Sequence, residues 1–230
     1  MIKFGEMSSE VQKANSENTD AFKEIKPQEE MSKETADDYW ENLFNGEIDD
    51  AESEDELLYD VFECSEDEFD FDFEVSDDIV ELLQDIKDIE WIYLDEDEKM
   101  DMIDSLSGKI SKMLELKEQP DVIYYDADAD DCGSYNRATN SIELNRCLLF
   151  DPGELIDTIA HELRHAYQHQ KAMAPESRID LLYRTNFENY ISPICLGDGK
   201  FLFITDYQDQ LVEVEARAFA KQFSGVEVAV

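Results

Sequence analysis

Apolar residues begin to recur at regular intervals only after about residue 75. In SDDIVELLQDIKDIEWIYL, Ile79, Leu82, Leu83, Ile86 and Ile89 share one helical face behind an N-cap candidate, Ser76. A second helix is predicted from about Glu96 to Leu116, with Met100, Ile103, Leu106, Ile110, Met113 and Leu114 facing inward and Gly108 as its weak point. Pro120 ends the helical pattern. DVIYY (Asp121–Tyr125) is rich in β-branched and aromatic residues and predicts a short strand. GSYNRATNSIELN predicts a hairpin, with a strand near Ser134–Tyr135, a turn over Asn136–Asn140 and a second strand at Ser141–Asn145.

Asp151-Pro152-Gly153 starts the next element, because proline suits the first position of a helix. That helix is predicted from Pro152 to Met173, ahead of Pro175. A further helix is expected over Ser177–Tyr190, then a loop marked by Pro193, Gly197 and Gly199, and a strand at Lys200–Thr205. The last helix is placed at Asp209–Phe223, with Val212, Ala216, Phe219 and Phe223 on one face. Helices with a few short strands define an α+β domain over residues 76–230.

Residues 1–75 lack this periodicity. No Lys or Arg lies between Lys33 and Lys87, while Asp and Glu are dense. Such a composition buries too little apolar surface to offset the entropy of ordering, so a largely disordered segment is predicted. Within it DDYWENLF, DELLYDVF and EFDFDFEV interleave acids with aromatic and aliphatic residues, a pattern able to dock on a protein partner. The segment could equally cover a cleft in the domain that follows.

Charge narrows the function. With 59 acidic and 19 basic residues the chain carries a formal charge of −40, which argues against nucleic-acid backbones and for basic peptides, basic proteins or cations. No apolar run approaches the roughly 18 residues of a membrane span, and MIKFGEMSSE lacks the apolar stretch of a secretory signal. The four cysteines form no Cys-x-x-Cys pair. Reduced thiols in the cytoplasm are therefore the expectation.

All three histidines lie in TIAHELRHAYQHQK. His161-Glu162-Leu163-Arg164-His165 places two imidazoles four residues apart, about 6 Å from each other on one helical face, where they can clamp one zinc ion. Glu162 follows the first ligand and can serve as general base toward a zinc-activated water. His169 stands eight residues from His161, about 12 Å along an unbroken helix. One zinc with bonds near 2 Å cannot span that distance, and HAYQHQKA has no glycine at which to turn. His169 is therefore read as a polar residue of the ligand helix. The third ligand must come from elsewhere. Glu213 and Glu215, about 50 residues further on in VEVEARAFA, are the candidates, beside small residues that permit close helix approach. Two histidines and a glutamate would leave a coordination position open for water, which suits catalysis.

HELRH followed by ExEARAFA resembles the zincin metallopeptidases whose third ligand is a glutamate, the gluzincins, and most closely short bacterial and phage-type members such as the ImmA/IrrE group. The resemblance covers roughly Tyr124–Phe223. It implies a zincin-like fold in which the ligand helix packs on a C-terminal glutamate helix. It implies a metal site of His161, His165 and Glu213, with Glu215 as the alternative ligand. It also implies that Ser141–Asn145 is an edge strand able to hold an extended peptide. Where such proteins often carry Asp or Asn after the Glu-x-x-Ala pattern, this chain has Arg217.

The function expected from these residues is a cytoplasmic, Zn²⁺-dependent endopeptidase with Glu162 as catalytic base. The alternative is a non-catalytic acidic interaction or inhibitor protein built on a zincin scaffold. Tyr190, Tyr207 and Arg217 are candidate oxyanion stabilisers. DADADD (Asp126–Asp131) fails as a calcium loop, since its sixth and twelfth positions hold Asp131 and Arg137 rather than Gly and Glu. Cys195 has no histidine left to activate it.

Overall fold

Local signals close most of the helices. In the computed structural model, which describes residues 57, 61, 62, 69, 75–88, 91–127, 132–195 and 201–224, helix α1 spans Asp77–Asp88 and α2 spans Glu96–Met113. Acids in the first turn of α1 and Lys87 in its last complement the helix dipole. α2 opens on a capping box. The Glu98 N–H donates to the Asp95 carboxylate at 2.9 Å, and the Asp95 N–H donates to the Glu98 carboxylate at 3.0 Å. These residues all belong to one compact unit, Asp37–Val230.

Three strands follow: β1 (Asp121–Tyr125), β2 (Gly133–Asn136) and β3 (Ser141–Asn145). Their order is β1-β3-β2, with β3 parallel to β1 and antiparallel to β2. The expected hairpin is present, but Ser141–Asn145 is the central strand of the sheet and not an edge. The long-range pairing with β1, which a hairpin pattern cannot reveal, closes its second side. The edges are β1 and β2. β2 lies so close to its neighbours that a Cβ on Gly133 would stand 2.7 Å from the Glu143 carbonyl and 3.2 Å from Thr158. Only glycine fits there.

Helix α3 (Pro152–Met173) runs through the middle of the molecule, packing against the sheet, α2 and the later helices. The Asp151 carboxylate accepts from the Gly153 and Glu154 amides at 3.0 and 3.2 Å, and Pro152 occupies the first turn. α4 (Arg178–Glu188) is capped by Ser177 and Asp180. The strand expected over Lys200–Thr205 shrinks to β5 (Phe201–Leu202), paired with β4 (Ile194–Cys195). Phe203 takes a left-handed conformation (φ 59°) that ends the strand and starts a short helix, α5 (Ile204–Gln208). The last described element is α6 (Leu211–Ser224), which packs against α3. The architecture is α+β.

Two apolar cores lie on either side of α3. The larger joins α1, α2, β3, the sheet-facing side of α3 and the C-terminal half of α6 through residues such as Ile79, Ile103, Ile142, Leu163 and Phe219. The smaller joins the C-terminal end of α3 to α4 and the start of α6 through Ile179, Leu182, Leu211 and Val214. Val61 and Phe69, which the sequence assigns to the acidic segment, are buried in it, with Leu57 and Phe62 packed alongside. Enough apolar side chains of DELLYDVF therefore find a core for the segment to contribute to the domain at these positions. Each fully buried side chain of this size contributes about 1.5–3 kcal/mol. The predicted disorder of the rest of Met1–Val75 and the docking stretch DDYWENLF lie outside the described residues, as does Ile89. No helix among the described residues is long and apolar enough to cross a membrane.

Candidate metal centre

His161 and His165 sit one turn apart on α3, and Glu213 reaches toward them from the first turn of α6. The two Nε2 atoms are 3.0 Å apart; Glu213 carboxylate oxygens lie 3.5 Å from His161 Nε2 and 3.4 Å from His165 Nε2. These three residues form the group, among the described residues, that could hold a metal ion. A four-coordinate zinc site with bonds of about 2.0–2.1 Å sets neighbouring donors about 3.3 Å apart. The observed separations fit that spacing, and the donor set of two imidazoles and a carboxylate suits zinc.

Charge favours a cation at this point. Burial alone would lower the pKa of His165, but the Glu213 carboxylate outweighs it and raises it to about 9. Burial would raise Glu213, yet the two imidazoles hold it well below the usual carboxylate range. Glu162, 7% exposed, lines the cleft that opens over this group. The cleft encloses about 560 Å³ and is bordered on one side by β2 and on the other by Tyr190 and Tyr207.

His169 belongs to the cleft wall and not to the metal group. Its ring stacks on Phe187 at 3.6 Å and 11°, with Tyr135 5.7 Å away. Burial and the neighbouring His165 and Arg137 charges lower its pKa to about 4, so it stacks as a neutral ring. Tyr190 donates to Glu213 at 2.5 Å, and the Tyr207 ring stands edge-on to it at 6.1 Å. Burial and the Glu213 carboxylate push both phenols far up, leaving them as donors. Arg217 donates to the Gln208 carbonyl at 2.5 Å and is not among the residues that line the cleft.

The structure separates the two glutamates that the sequence left as alternatives. Glu215 is wholly buried and accepts from Tyr183 at 2.6 Å, from Gln168 at 2.6 Å and from the Arg164 guanidinium. Glu213 faces the imidazoles because the start of α6 is fixed by distant partners. The Leu211 N–H donates to the Val61 carbonyl and the Val212 N–H to Asn186 Oδ1, each at 3.0 Å. Gln210, also wholly buried, accepts from Asn186 and Ile191 and donates to the Ile191 carbonyl. Amides that a helix leaves unpaired at its N-terminus are thus satisfied by tertiary contacts instead of a local cap. Sequence reasoning missed Gln168, Arg164, Tyr183 and Phe187. The first two stand on the ligand helix itself, three residues after and one before His165, which is the signal that marks them.

No known family, no curated protein and no solved structure matches this chain.

Proposed function

We propose that this protein is a zinc-dependent metallopeptidase of the gluzincin type, an endopeptidase acting on extended peptides. The observation that supports it most is the convergence of His161, His165 and Glu213 on one point, with Glu162 lining the same cleft. Zinc held there would supply Lewis acidity, acidifying water and polarising a carbonyl. His161 and His165 would hold it through Nε2 and Glu213 through its carboxylate. Glu162 takes a proton from water and later delivers it to the leaving amine. Tyr190, whose hydroxyl donates to Glu213, holds that carboxylate in place, and Tyr207, held protonated beside it at the cleft margin, supplies a donor for developing negative charge.

Substrate placement follows from the sheet. β2, the edge strand on the cleft side, contributes Gly133–Asn136 to the cleft and offers backbone pairing to an extended peptide, the role the sequence reading gave to β3. The neutral aromatic shelf of His169, Phe187 and Tyr135 suits a planar or apolar side chain, while the charge of −40 draws basic peptides toward the protein. The scattered cysteines favour a cytoplasmic setting.

Metal analysis joined to a proteome-derived peptide screen tests this. One zinc per chain, lost in His165→Ala, and peptides cut by the wild type but not by Glu162→Gln are the expected results. Equal cleavage by Glu162→Gln would exclude the mechanism.

A further inference from the structure

Gln168 lies one turn beyond His165 on α3 and is wholly buried. Its side-chain nitrogen contacts Glu215 Oε2 at 2.6 Å and the Val212 carbonyl at 3.0 Å. Both partners on that side are acceptors, a carboxylate and a carbonyl. Turning the amide over would set its oxygen against two other oxygens, so the orientation follows from chemistry. Both amide protons are thereby committed. The amide oxygen is left 2.8 Å from His165 Nδ1, and it can only accept. Hydrogen must then sit on Nδ1. A neutral imidazole with hydrogen on Nδ1 keeps its lone pair on Nε2, the atom that faces His161 and Glu213.

The polarity of this chain originates at Glu215. Tyr183 and Arg164 both donate to its Oε1, which leaves Oε2 for Gln168. Arg164 is itself packed against the Tyr167 and Phe219 rings, at 4.3 and 5.2 Å, so neither end of the chain of contacts is loose. We propose that Glu215 is a positioning residue which, acting through Gln168, sets the tautomer and ring orientation of His165 for metal binding. Partners of this kind fix the ligating nitrogen in metal sites generally. The inference rests on the proposed zinc site and adds to it a role for the glutamate that is not a ligand.

Glu215→Gln makes a specific prediction. Tyr183 and Arg164 are donors, so they hold the new amide oxygen, and its nitrogen turns toward Gln168. Gln168 then meets a donor at residue 215 and still an acceptor at the Val212 carbonyl, so no orientation of its amide satisfies both; in the reversed one its nitrogen faces His165 Nδ1 and moves the imidazole hydrogen to Nε2, the ligating atom. Zinc affinity, measured on the folded full-length chain by competition with a chromophoric chelator, should fall about 10–100-fold. Glu215→Gln combined with Gln168→Glu restores an acceptor beside Nδ1 and should recover most of the loss. A buried cluster that served stability alone would not be rescued in this way. A measurement on the zinc-loaded wild type needs no variant: proton NMR should show a slowly exchanging His165 Nδ1 hydrogen close to the Gln168 side chain. Absence of that resonance, or unchanged zinc affinity in folded Glu215→Gln, overturns the inference while leaving the zinc site standing. Failure of the wild type to bind zinc overturns both.

Discussion

The two sides of α3 are built from different materials. The side shared with α1, α2 and the sheet is apolar, and its buried polar residues are Lys99, two serines of α2, and Ser141 and Asn145 of β3. The side shared with α4 and the start of α6 buries four carboxylates, Glu162, Asp180, Glu213 and Glu215, together with Arg164, Gln168, Asn186 and Gln210. Buried charges stabilise a fold weakly, because desolvation offsets most of their attraction. A domain with an available apolar core has no need of them for stability. Their concentration beside His161 and His165 is explained by orientation: they hold side chains in one geometry.

Substitutions on the two sides should therefore separate function from stability. The largest effect is expected at Glu162. Glu162→Gln should lower peptide hydrolysis by about 10²–10⁴-fold while zinc content stays at the wild-type level. On the apolar side, Ile103→Ala should cost about 2–5 kcal/mol by opening a cavity where the side chain is fully buried, with zinc affinity of the folded protein unchanged. Denaturant unfolding and chelator competition measure the two quantities. A large loss of zinc affinity in Ile103→Ala would show that the two sides are coupled. Asn186→Ala should affect both. It removes the acceptor of the Val212 amide and a donor to Gln210, at about 1–3 kcal/mol, and releases the turn that carries Glu213. Lower stability with undiminished zinc binding would mean that Glu213 does not depend on this anchor.

The same division decides what the sequence disclosed. α3 was legible over its full length because Asp151-Pro152 and Pro175 bracket it, and the spacing of His161 and His165 needs only a helix to become a pair. α1, α2 and the strand segments were readable from local period. The choice between Glu213 and Glu215 was not, since residues two apart on a helix point about 200° away from each other. Which one faces the imidazoles depends on how α6 is rolled, and that is set by Val61 and Asn186, far away in the chain. β3 was misplaced as an edge for the same reason: its pairing with β1 is long-range. Nothing in KFLFIT announced the left-handed Phe203. The acidic composition around Val61 and Phe69 concealed four apolar side chains that a neighbouring core could accept.

The smallest effect is expected at Asp95, on the apolar side and at the surface. Its carboxylate accepts from the Glu98 amide at 2.9 Å and so satisfies one of the donors that the first turn of α2 would otherwise leave to water. Asp95→Ala should cost about 1 kcal/mol, seen as a small fall in Tm. Water reaches this exposed turn, so the lost bond is partly replaced, and Asp95 is not among the residues that line the cleft over the imidazoles. Asp95→Ala and Asn186→Ala both remove a side-chain acceptor from a helix N-terminus. Only the second helix carries a proposed ligand in its first turn. If zinc affinity falls equally in the two variants, the loss reflects general loosening of the domain, and the assignment of orientation to one side of α3 is wrong.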